Sequence, residues 1–429
     1  MMTIANATIR QKIFPVHKSG ERHTILDVLR GIALLGIVVA NYAMFSLYIF
    51  QGPEKWEIMP TATLDKAWGA IHFMFIDGKF YTLFSLLFGI SFSIILTHAE
   101  NKGKNGLPIF YRRLIVLLLI GLAHLLFLWE GDIVMLYALL GLALPLFRNV
   151  SNRNLIILST CLILFPILID LAKVLTDNRS NPANLLAPLG KAIDNELGIT
   201  DKNFATWLVD HTSYKELLDY NRAGMVYRYM GLLDNNRLLK VFGIFLLGLY
   251  AGRNRIYANL EENKVLLKKI LCYGFLIGLP FSVLHTWLEI NGNRLPAIEG
   301  WYNSIAYALS VVPLGLAYAA TICLWFLKNP QTKLLQFFVA PGRMALTNYI
   351  FQTICGIAIF YGVGLGLGAK MGLIYVMAIA VMVYIILAVF SHFWLRYFNY
   401  GPLEWIWRML TYGKYLRLRK FNLTKLSSV

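Results

Sequence analysis

The chain has 429 residues, of which 58% are hydrophobic and 15% are charged, whereas charged residues make up about a quarter of a typical soluble domain. This composition excludes an ordinary soluble domain and indicates a polytopic membrane protein. The formal net charge of +17 would favour nucleic-acid binding in a soluble chain. Here the cations lie in short segments between apolar runs, a pattern that is typical of membrane topology, so we expect no nucleic-acid partner.

The cysteines and the N-terminus carry no processing or metal-binding pattern. Cys161, Cys272, Cys323 and Cys355 all lie within apolar runs and none has CxxC spacing. We interpret them as small buried hydrophobic residues, so neither a disulfide framework nor a metal site is predicted. No short apolar core with a small-residue cleavage site opens the chain, so we expect no signal peptide and a first apolar run that stays as an anchor.

Long apolar runs predict an all-α transmembrane bundle of about ten spans. The predicted spans are residues 26–50, 70–97, 114–129, 133–147, 155–175, 238–251, 265–288, 301–327, 345–363 and 372–395. With the N-terminus inside, most Lys and Arg of the short loops lie on the inner side. Because cytoplasmic loops carry an excess of these residues, both termini are predicted to face the cytoplasm.

A long polar segment, residues 176–237, divides the chain into two transmembrane halves of five predicted spans each, residues 1–175 and residues 238–429. Prolines and polar residues interrupt the segment, and its second half is amphipathic and rich in aromatic residues. Such a composition is typical of short helices that lie at a membrane interface or cover a cavity. We predict a small external helical cap here, and a basic cytoplasmic tail at the end of the chain.

The strongest candidate for chemistry is His124, in the apolar run that follows Arg112. At about 1.5 Å per residue His124 lies roughly 18 Å above Arg112, inside the hydrocarbon, where an ionisable group is costly unless it faces protein or water. Glu130 and Asp132 follow at the break of the predicted hairpin. Carboxylates beside an imidazole orient the ring and raise its basicity for general-base catalysis. A solvated turn is the alternative for these two acids.

A second group of ionisable residues, His72, Asp77 and Lys79, stands near the outer end of the second predicted span. Gly78 interrupts the helical pattern between them, which indicates a semi-buried polar site. Snorkelling at the membrane interface is the alternative for Lys79, and is less favoured for Asp77 because its side chain is short. Secondary candidates at the outer ends of two later spans are His285, Glu289 and Glu299.

The first span opens with Asp27 and Arg30, which are three residues apart and therefore share a helix face on which they can pair. The alternative is that these two residues form only a local ion pair and fix the orientation of the span in the membrane. Asn41 lies further along this span. An amide within the membrane more often joins helices than binds substrate, so both roles stay open for Asn41.

The inner ends of the last two spans predict an anion site. Arg343 precedes the ninth span, where free N–H groups and a guanidinium converge, and Asn348 and Gln352 lead inward from it. Glu404 and Arg408 lie in the segment after the tenth span. We expect a phosphate-bearing donor to dock here, with lipid head groups as the alternative.

Five segments occur in order along nearly the whole chain. They are LDVLRGIALLGIVVAN (26–41), DGKFYTLFSLLFG (77–89), RRLIVLLLIGLAHLLFLWEGDI (112–133), GRMALTNYIFQ (342–352) and GPLEWIWRMLTY (401–412). Together they resemble the YeiB-like bacterial membrane proteins, the family of the domain of unknown function 418. The resemblance implies a multi-pass protein of the bacterial cytoplasmic (inner) membrane, and this family has no settled activity.

The opening LDxLRGIA also resembles two groups of membrane acyltransferases, the bacterial enzymes that modify cell-surface sugars and the heparan-glucosaminide N-acetyltransferase type. In the surface-sugar group a histidine follows in the first span, and this chain has Asn41 at that position. In the heparan type a histidine near the start of the second span is implicated, which is roughly the place of His72. The resemblance implies transfer of an acyl group from a cytoplasmic coenzyme A thioester to an extracytoplasmic acceptor.

We therefore expect acyl-coenzyme A as a co-substrate docked among Arg30, Arg343 and Arg408, with no tightly bound cofactor. His124 or His72 would act as base or acyl carrier, and Asp77, Glu130 and Asp132 would orient that imidazole. Asn41 and Lys79 are further candidates for substrate binding. The alternative is a transporter or exporter of a small molecule, in which buried His and Asp residues relay protons. The expected partners are the lipid bilayer and a small-molecule or cell-envelope substrate, and a homo-oligomer is left open.

Overall fold

The computed structural model describes residues 23–420. Within that range the chain forms helices and no β-strand, apart from an isolated bridge between Phe398 and Arg419. Residues 1–22, where no signal peptide is expected, and residues 421–429 of the predicted basic tail lie outside the described residues. The predicted all-α fold is confirmed for the described part of the chain.

The helices before the polar segment follow the predicted spans closely. They are α1 (Thr24–Phe45), α2 (Pro53–Glu57), α3 (Ala62–Phe75), α4 (Lys79–Glu100), α5 (Leu107–Phe127), α6 (Val134–Gly141) and α7 (Asn152–Leu175), with 3-10 turns at Tyr48–Phe50 and Leu144–Phe147. The break between α3 and α4 lies at Gly78, whose φ is +75°. Glycine adopts this left-handed conformation without strain, so the chain bends there between two apolar helices.

The polar segment and the second half add ten more helices within the described residues. The polar segment forms a 3-10 turn at Pro182–Leu185 and the helices α8 (Ala187–Leu197), α9 (Phe204–Asp210) and α10 (Tyr214–Asp234). The second half forms α11 (Arg237–Arg253), α12 (Lys264–Ile290), α13 (Ile298–Lys328), α14 (Lys333–Arg343), α15 (Ala345–Phe360), α16 (Leu373–Tyr397) and α17 (Pro402–Tyr412). Ser213 caps α10 in a reciprocal capping box with Glu216, which satisfies free N–H groups of the first turn.

Seven helical segments of the described range are long and apolar enough to cross a membrane, namely α1, α3 with α4, α5, α7, α12, α13 and α16. They make the protein an integral membrane protein. The other three predicted spans correspond to shorter helices, α6 with 8 residues, α11 with 17 and α15 with 16. The count of ten spans, the orientation of the termini and the external position of the cap stay predictions.

Two hydrophobic clusters hold the bundle together. The first packs α4, α11 and α13 with α5 and α7, and includes Phe88 stacked on Phe245 with their ring centroids 4.4 Å apart. The second packs α1, α15 and α16 around Trp129, whose ring centroid lies 4.1 Å from that of Phe45. The loop that contains Trp129 is therefore anchored in the second cluster, next to α15.

Helix α14 crosses the start of α1 in direct backbone contact. A Cβ at Gly342 would overlap the carbonyl oxygen of Asp27, and a Cβ at Gly31 would overlap the carbonyl oxygen of Phe338. Since only glycine lacks a Cβ, both positions require it for this approach. Gly342 therefore serves helix packing at the place where the sequence predicted an anion site.

Candidate functional site

The last turn of α5 holds His124 in the protein interior. Its Nδ1 lies 2.9 Å from Oδ1 of Asp132, and its Nε2 lies 2.9 Å from the Thr353 hydroxyl on α15. The exposed fractions of the three residues are 2%, 4% and 1%. The structure thus brings His124 together with one of the two predicted carboxylates and with a hydroxyl group that the sequence did not single out.

The hydrogen-bond roles in this triad follow from its chemistry. An ionised carboxylate only accepts, so His124 donates from Nδ1 to Asp132 and keeps a lone pair on Nε2. The Thr353 hydroxyl then donates to Nε2, because its other acceptor, the carbonyl oxygen of Tyr349, is more distant at 3.4 Å. Carboxylate, imidazole and hydroxyl in this order are the arrangement that activates a hydroxyl nucleophile.

The loop between α5 and α6 positions Asp132 with several hydrogen bonds. Oδ2 of Asp132 accepts from the backbone N–H of Met135 at 2.6 Å, and its backbone carbonyl accepts from Arg228 of α10 at 3.0 Å. The Tyr349 hydroxyl accepts from the N–H of Ile133, and the ring centroid of Tyr349 lies 5.2 Å from that of His124. Residues from α5 and α6 therefore hold the carboxylate itself, and residues from α10 and α15 hold the backbone of its loop.

Glu130, the second predicted carboxylate, packs against α10. Among the described residues it makes no hydrogen bond or ion pair with His124. A Cβ at Gly224 would lie 2.7 Å from Cγ of Glu130, and Oε2 of Glu130 is shielded from solvent without a hydrogen-bond partner among residues 23–420. Burial raises the pKa of Glu130 to about 7, against the opposing effects of a backbone hydrogen bond and Arg228. Such a carboxyl group exchanges protons near neutral pH.

Further buried polar atoms near this triad lack partners within the described range. They are Nε of Arg228, Oδ1 of Asn221 and both side-chain amide atoms of Gln352, which precedes Thr353 on α15. Burial and the neighbouring Arg237 lower the pKa of Arg228. Most buried polar groups in proteins are hydrogen-bonded, so this concentration of unpartnered atoms marks a site that differs from ordinary core.

His72, Asp77 and Lys79 lie in a separate cluster. Oδ2 of Asp77 lies 4.0 Å from Nε2 of His285, and no hydrogen bond or ion pair within residues 23–420 joins Asp77 or His72 to His124. Lys79 is fully buried and donates to the carbonyl oxygen of Phe73 at 2.7 Å. The sequence suggested that Asp77 orients the catalytic imidazole and that Lys79 binds substrate. Instead, the break at Gly78 turns the Lys79 ammonium back onto the last carbonyls of α3.

The side chains of Glu404 and Asn348 are hydrogen-bonded within the protein and support its fold. Glu404 accepts from the backbone N–H groups of Leu346 and Thr347 at 2.7 and 3.0 Å, and from the Thr347 hydroxyl at 2.6 Å. A helix N-terminus attracts negative charge, and here the protein's own carboxylate takes the place that we predicted for a phosphate. Asn348 exchanges hydrogen bonds with Ser391 of α16, which joins two helices.

The predicted basic residues lie at the same end as Glu404 but do not all meet. Arg30 pairs with Asp27 at 3.0 Å and also contacts Ser91, while Arg343 donates to the carbonyl oxygen of Asn399. The Arg408 guanidinium lies 5.1 Å from the Tyr400 ring centroid. The Asn41 side chain, on the other part of α1, makes no hydrogen bond among the described residues.

Arg113 is a further cation in this region. Its guanidinium lies 3.8 Å from the ring centroid of Trp407, and it is close enough to Arg408 and Arg30 for electrostatic repulsion. Three cations from α1, α5 and α17 therefore approach one another at the start of α5. Arg113 follows Arg112 in the second turn of α5, and this pair of cations was the signal that could have identified it.

A family model described as "Protein of unknown function (DUF418)" matches residues 251–414. The uncharacterized protein YxaH of Bacillus subtilis (strain 168) is 33% identical over 399 residues, which cover 92% of this chain and 95% of that protein. The chain belongs to the DUF418 family. The uncharacterized protein YeiB of Escherichia coli (strain K12) is 28% identical over 419 residues, with 91% of this chain and 96% of that protein covered. No solved structure shows a significant match.

In this DUF418 protein, the residues that sequence reasoning missed are brought to the site by tertiary packing. Thr353 is 229 residues from His124 in the chain. Arg228 belongs to a cap helix whose composition indicates only an interfacial segment. The signals in the sequence were weak, namely a hydroxyl beside the candidate Gln352 and a cation within the aromatic part of the cap.

Proposed function

We propose that this DUF418 protein is a transmembrane acyltransferase of the bacterial cytoplasmic membrane and that His124 is its general base. The observation that supports the proposal is the buried imidazole held between two partners, Asp132 on Nδ1 and Thr353 on Nε2, each at 2.9 Å. Asp132 orients the ring and stabilises the imidazolium that forms when Nε2 accepts a proton.

The acceptor would take the position next to Nε2 of His124 that the Thr353 hydroxyl occupies. An acceptor hydroxyl or amine attacks the thioester carbonyl and gives its proton to Nε2 of His124. The carbon–sulfur bond breaks as the carbon–oxygen or carbon–nitrogen bond forms. The departing thiolate takes the proton from the imidazolium and leaves as the coenzyme A thiol, so that His124 returns to its neutral state.

The donor would approach along α5 from its basic end. Arg30, Arg113 and Arg408 supply positive charge where the coenzyme A phosphates would bind. Arg113 and His124 are on the same helix, roughly 16 Å apart along its axis at about 1.5 Å per residue. A thin acyl-pantetheine arm that follows α5 would therefore lead from the phosphates to the imidazole.

The decisive experiment measures transfer from labelled acyl-coenzyme A to isolated cell envelope by protein reconstituted in vesicles. We expect His124→Ala to lower transfer by about 10²- to 10⁴-fold, the usual contribution of a general base. His98→Ala is the matched control, because His98 is an exposed histidine near the end of α4. Thermal melting of both variants checks the fold. Undiminished transfer by His124→Ala would reject the proposed role.

Donor binding is tested separately by thermal melting with a panel of acyl-coenzyme A compounds. A ligand at a hundred times its dissociation constant adds about 2.7 kcal/mol to stability, so a true donor raises the melting temperature measurably. The shift should disappear in Arg113→Gln, which removes one of the approaching cations. If no acyl donor stabilises the protein, the acyltransferase proposal fails.

A proton-coupled transporter is the second candidate, and one observation favours it. His285 is a second buried imidazole, and its Nε2 lies 4.0 Å from Asp77, so the bundle holds two separate pairs of histidine and aspartate. Pairs of this kind within membrane helices are typical of proton relays. Substrate-dependent proton uptake into vesicles, with no transfer of acyl groups, would favour this function.

A further inference from the structure

The first turn of α11 presents two cations that have no acidic partner in direct contact. Arg237 and Lys240 are three residues apart and share a helix face. The Arg237 guanidinium lies 4.6 Å from the Tyr81 ring centroid, and the Lys240 ammonium lies 4.7 Å from that of Tyr307. Neither cation makes a side-chain hydrogen bond or ion pair with another residue in the range 23–420, and each lies against an aromatic ring.

Burial makes these cations unusual. Lys240 is only 9% exposed, and buried lysines are rare unless they are paired with an anion. The acid that attracts Lys240 most strongly is Asp170. The carboxylate of Asp170 already accepts from Lys173 at 2.9 Å and from Asn236 at 2.8 Å. The chain itself therefore provides little compensation for the charge of Lys240.

A buried imidazole with one unpartnered nitrogen, that of His285, lies against the same Tyr307 ring as Lys240. Nδ1 of His285 lies 2.6 Å from Oδ1 of Asn303, and the amide of Asn303 donates to Glu289 at 2.7 Å. Because the amide nitrogen of Asn303 donates to Glu289, its oxygen faces His285 and must accept, so Nδ1 of His285 is the donor. Nε2 of His285 has no hydrogen-bond partner within the described range, although the residue is only 2% exposed. The ring centroids of His285 and Tyr307 are 5.2 Å apart, which puts the imidazole beside the Lys240 ring contact.

Most of the other charged groups near Arg237 and Lys240 are already hydrogen-bonded or paired. Lys79 is bonded to a backbone carbonyl, and Lys173 is bonded to Asp170. Glu289 accepts from Asn303, and Asp234 lies 3.7 Å from Lys173. Asp77 attracts Arg237 and lies 4.0 Å from Nε2 of His285, too far for a hydrogen bond. The Asp77 side chain is one-third exposed at 33%, so the cluster is open to the surroundings on that side.

We propose that Arg237 and Lys240 bind the oxyanion of a small molecule, a phosphate or a carboxylate group, with the Tyr81 and Tyr307 rings packed against it. Because Nδ1 of His285 is the donor to Asn303, Nε2 would accept a hydrogen bond from a hydroxyl group of that molecule. The N–H groups at the start of α11 add to the attraction, as at other helix N-termini. The inference goes beyond acyl transfer, because binding an oxyanion needs neither His124 nor a thioester.

Calorimetric titration of the full-length protein in detergent, at constant ionic strength, tests the proposal. The probes are inorganic phosphate and acetate, with chloride as the reference anion. We expect saturable binding of one of the two oxyanions, and a dissociation constant at least tenfold higher in Arg237→Gln and in Lys240→Gln. Lys240→Arg keeps the charge and should retain most of the affinity. Lys264→Gln, at an exposed lysine paired with Glu261, is the matched control.

Each outcome bears on the proposal. Tighter binding of phosphate assigns the site to phosphate-bearing ligands, and tighter binding of acetate assigns it to carboxylates. Absence of saturable binding by the wild type, or unchanged affinity in the folded Lys240→Gln variant, overturns the proposal. His124→Ala should bind the oxyanion like the wild type, so failure of the acyltransferase proposal and failure of this one are distinguishable.

Discussion

Helix α15 holds buried polar side chains in two places, and their hydrogen bonding differs. In its first turn Leu346 and Thr347 donate three hydrogen bonds to Glu404 of α17, and Asn348 is bonded to Ser391. About one turn beyond Asn348, the side chain of Gln352 has no partner among the described residues, and neither has Oε2 of Glu130 across the site. Polar groups that only support a fold are normally satisfied. The comparison therefore separates a structural end of α15 from a functional one.

The largest expected effect is that of Asp132→Asn on transfer. The amide keeps the shape of the carboxylate but can also donate a hydrogen bond, so it no longer fixes the proton on Nδ1 of His124. We expect acyl transfer to fall by about 10²- to 10⁴-fold with little change in melting temperature. The same labelled-donor assay measures it, and a parallel loss of stability and activity would place Asp132 with the structural residues.

The next effect is the destabilisation caused by Glu404→Ala at the structural end. Two buried N–H groups and the Thr347 hydroxyl lose their acceptor, which costs about 2–4 kcal/mol. Denaturant or thermal unfolding in micelles measures this loss, while transfer per folded molecule should stay at the wild-type level. Glu404→Gln retains one acceptor oxygen and should lose less. Equal stability of Glu404→Ala and the wild type would contradict the capping role.

The third prediction concerns the pH dependence of stability. The pKa of Glu130 is raised from 4.5 to about 7, so between these values the folded protein holds a proton that the unfolded chain has lost. Stability contributed by this group therefore falls as pH rises from about 4.5 to about 7, and then stays constant. Glu130→Gln should remove this pH-dependent change in the free energy of unfolding, which is on the order of 1–3 kcal/mol in total. Melting temperatures of both proteins between about pH 5 and pH 8 provide the test, and parallel curves would contradict it.

The smallest effect is expected for Gln352→Leu. Since neither amide atom has a partner among the described residues, replacing the amide by an apolar group of similar size should leave stability unchanged or raise it by about 1 kcal/mol. Transfer should fall, because the unpartnered amide belongs to the functional part of α15. Destabilisation comparable to that of Glu404→Ala would show that the two places on α15 do not differ.

Local sequence patterns predicted much of the architecture. The apolar runs located the helices, because a membrane segment must be apolar over a fixed length. They did not predict helix length within a run. The run at residues 133–147 forms an eight-residue helix that ends at Gly141, and Pro145 then continues in a 3-10 turn. Sequence spacing made Glu130 and Asp132 candidate partners of His124, but it left a solvated turn open and did not distinguish Asp132, which meets the imidazole, from Glu130, which packs against α10.

The remaining parts of the site depend on helix packing that hydropathy does not encode. Thr353 reaches His124 only because α15 packs beside the loop after α5, and Glu404 reaches Thr347 across 57 residues of the chain. The prediction of an anion site at the start of α15 also rested on a correct principle. A helix N-terminus does attract an anion, but sequence alone did not reveal that the carboxylate would come from α17.

The hydrogen bond from Arg228 to the backbone of Asp132 has a consequence for protein engineering. Segment 176–237 is hydrogen-bonded to the loop that orients the imidazole, so we expect its deletion to disturb the site. Chimeras between relatives should exchange this segment together with residues 128–133, because a foreign loop would meet Arg228 with the wrong geometry. A chimera that exchanges only one of the two pieces should insert into the membrane and yet be inactive.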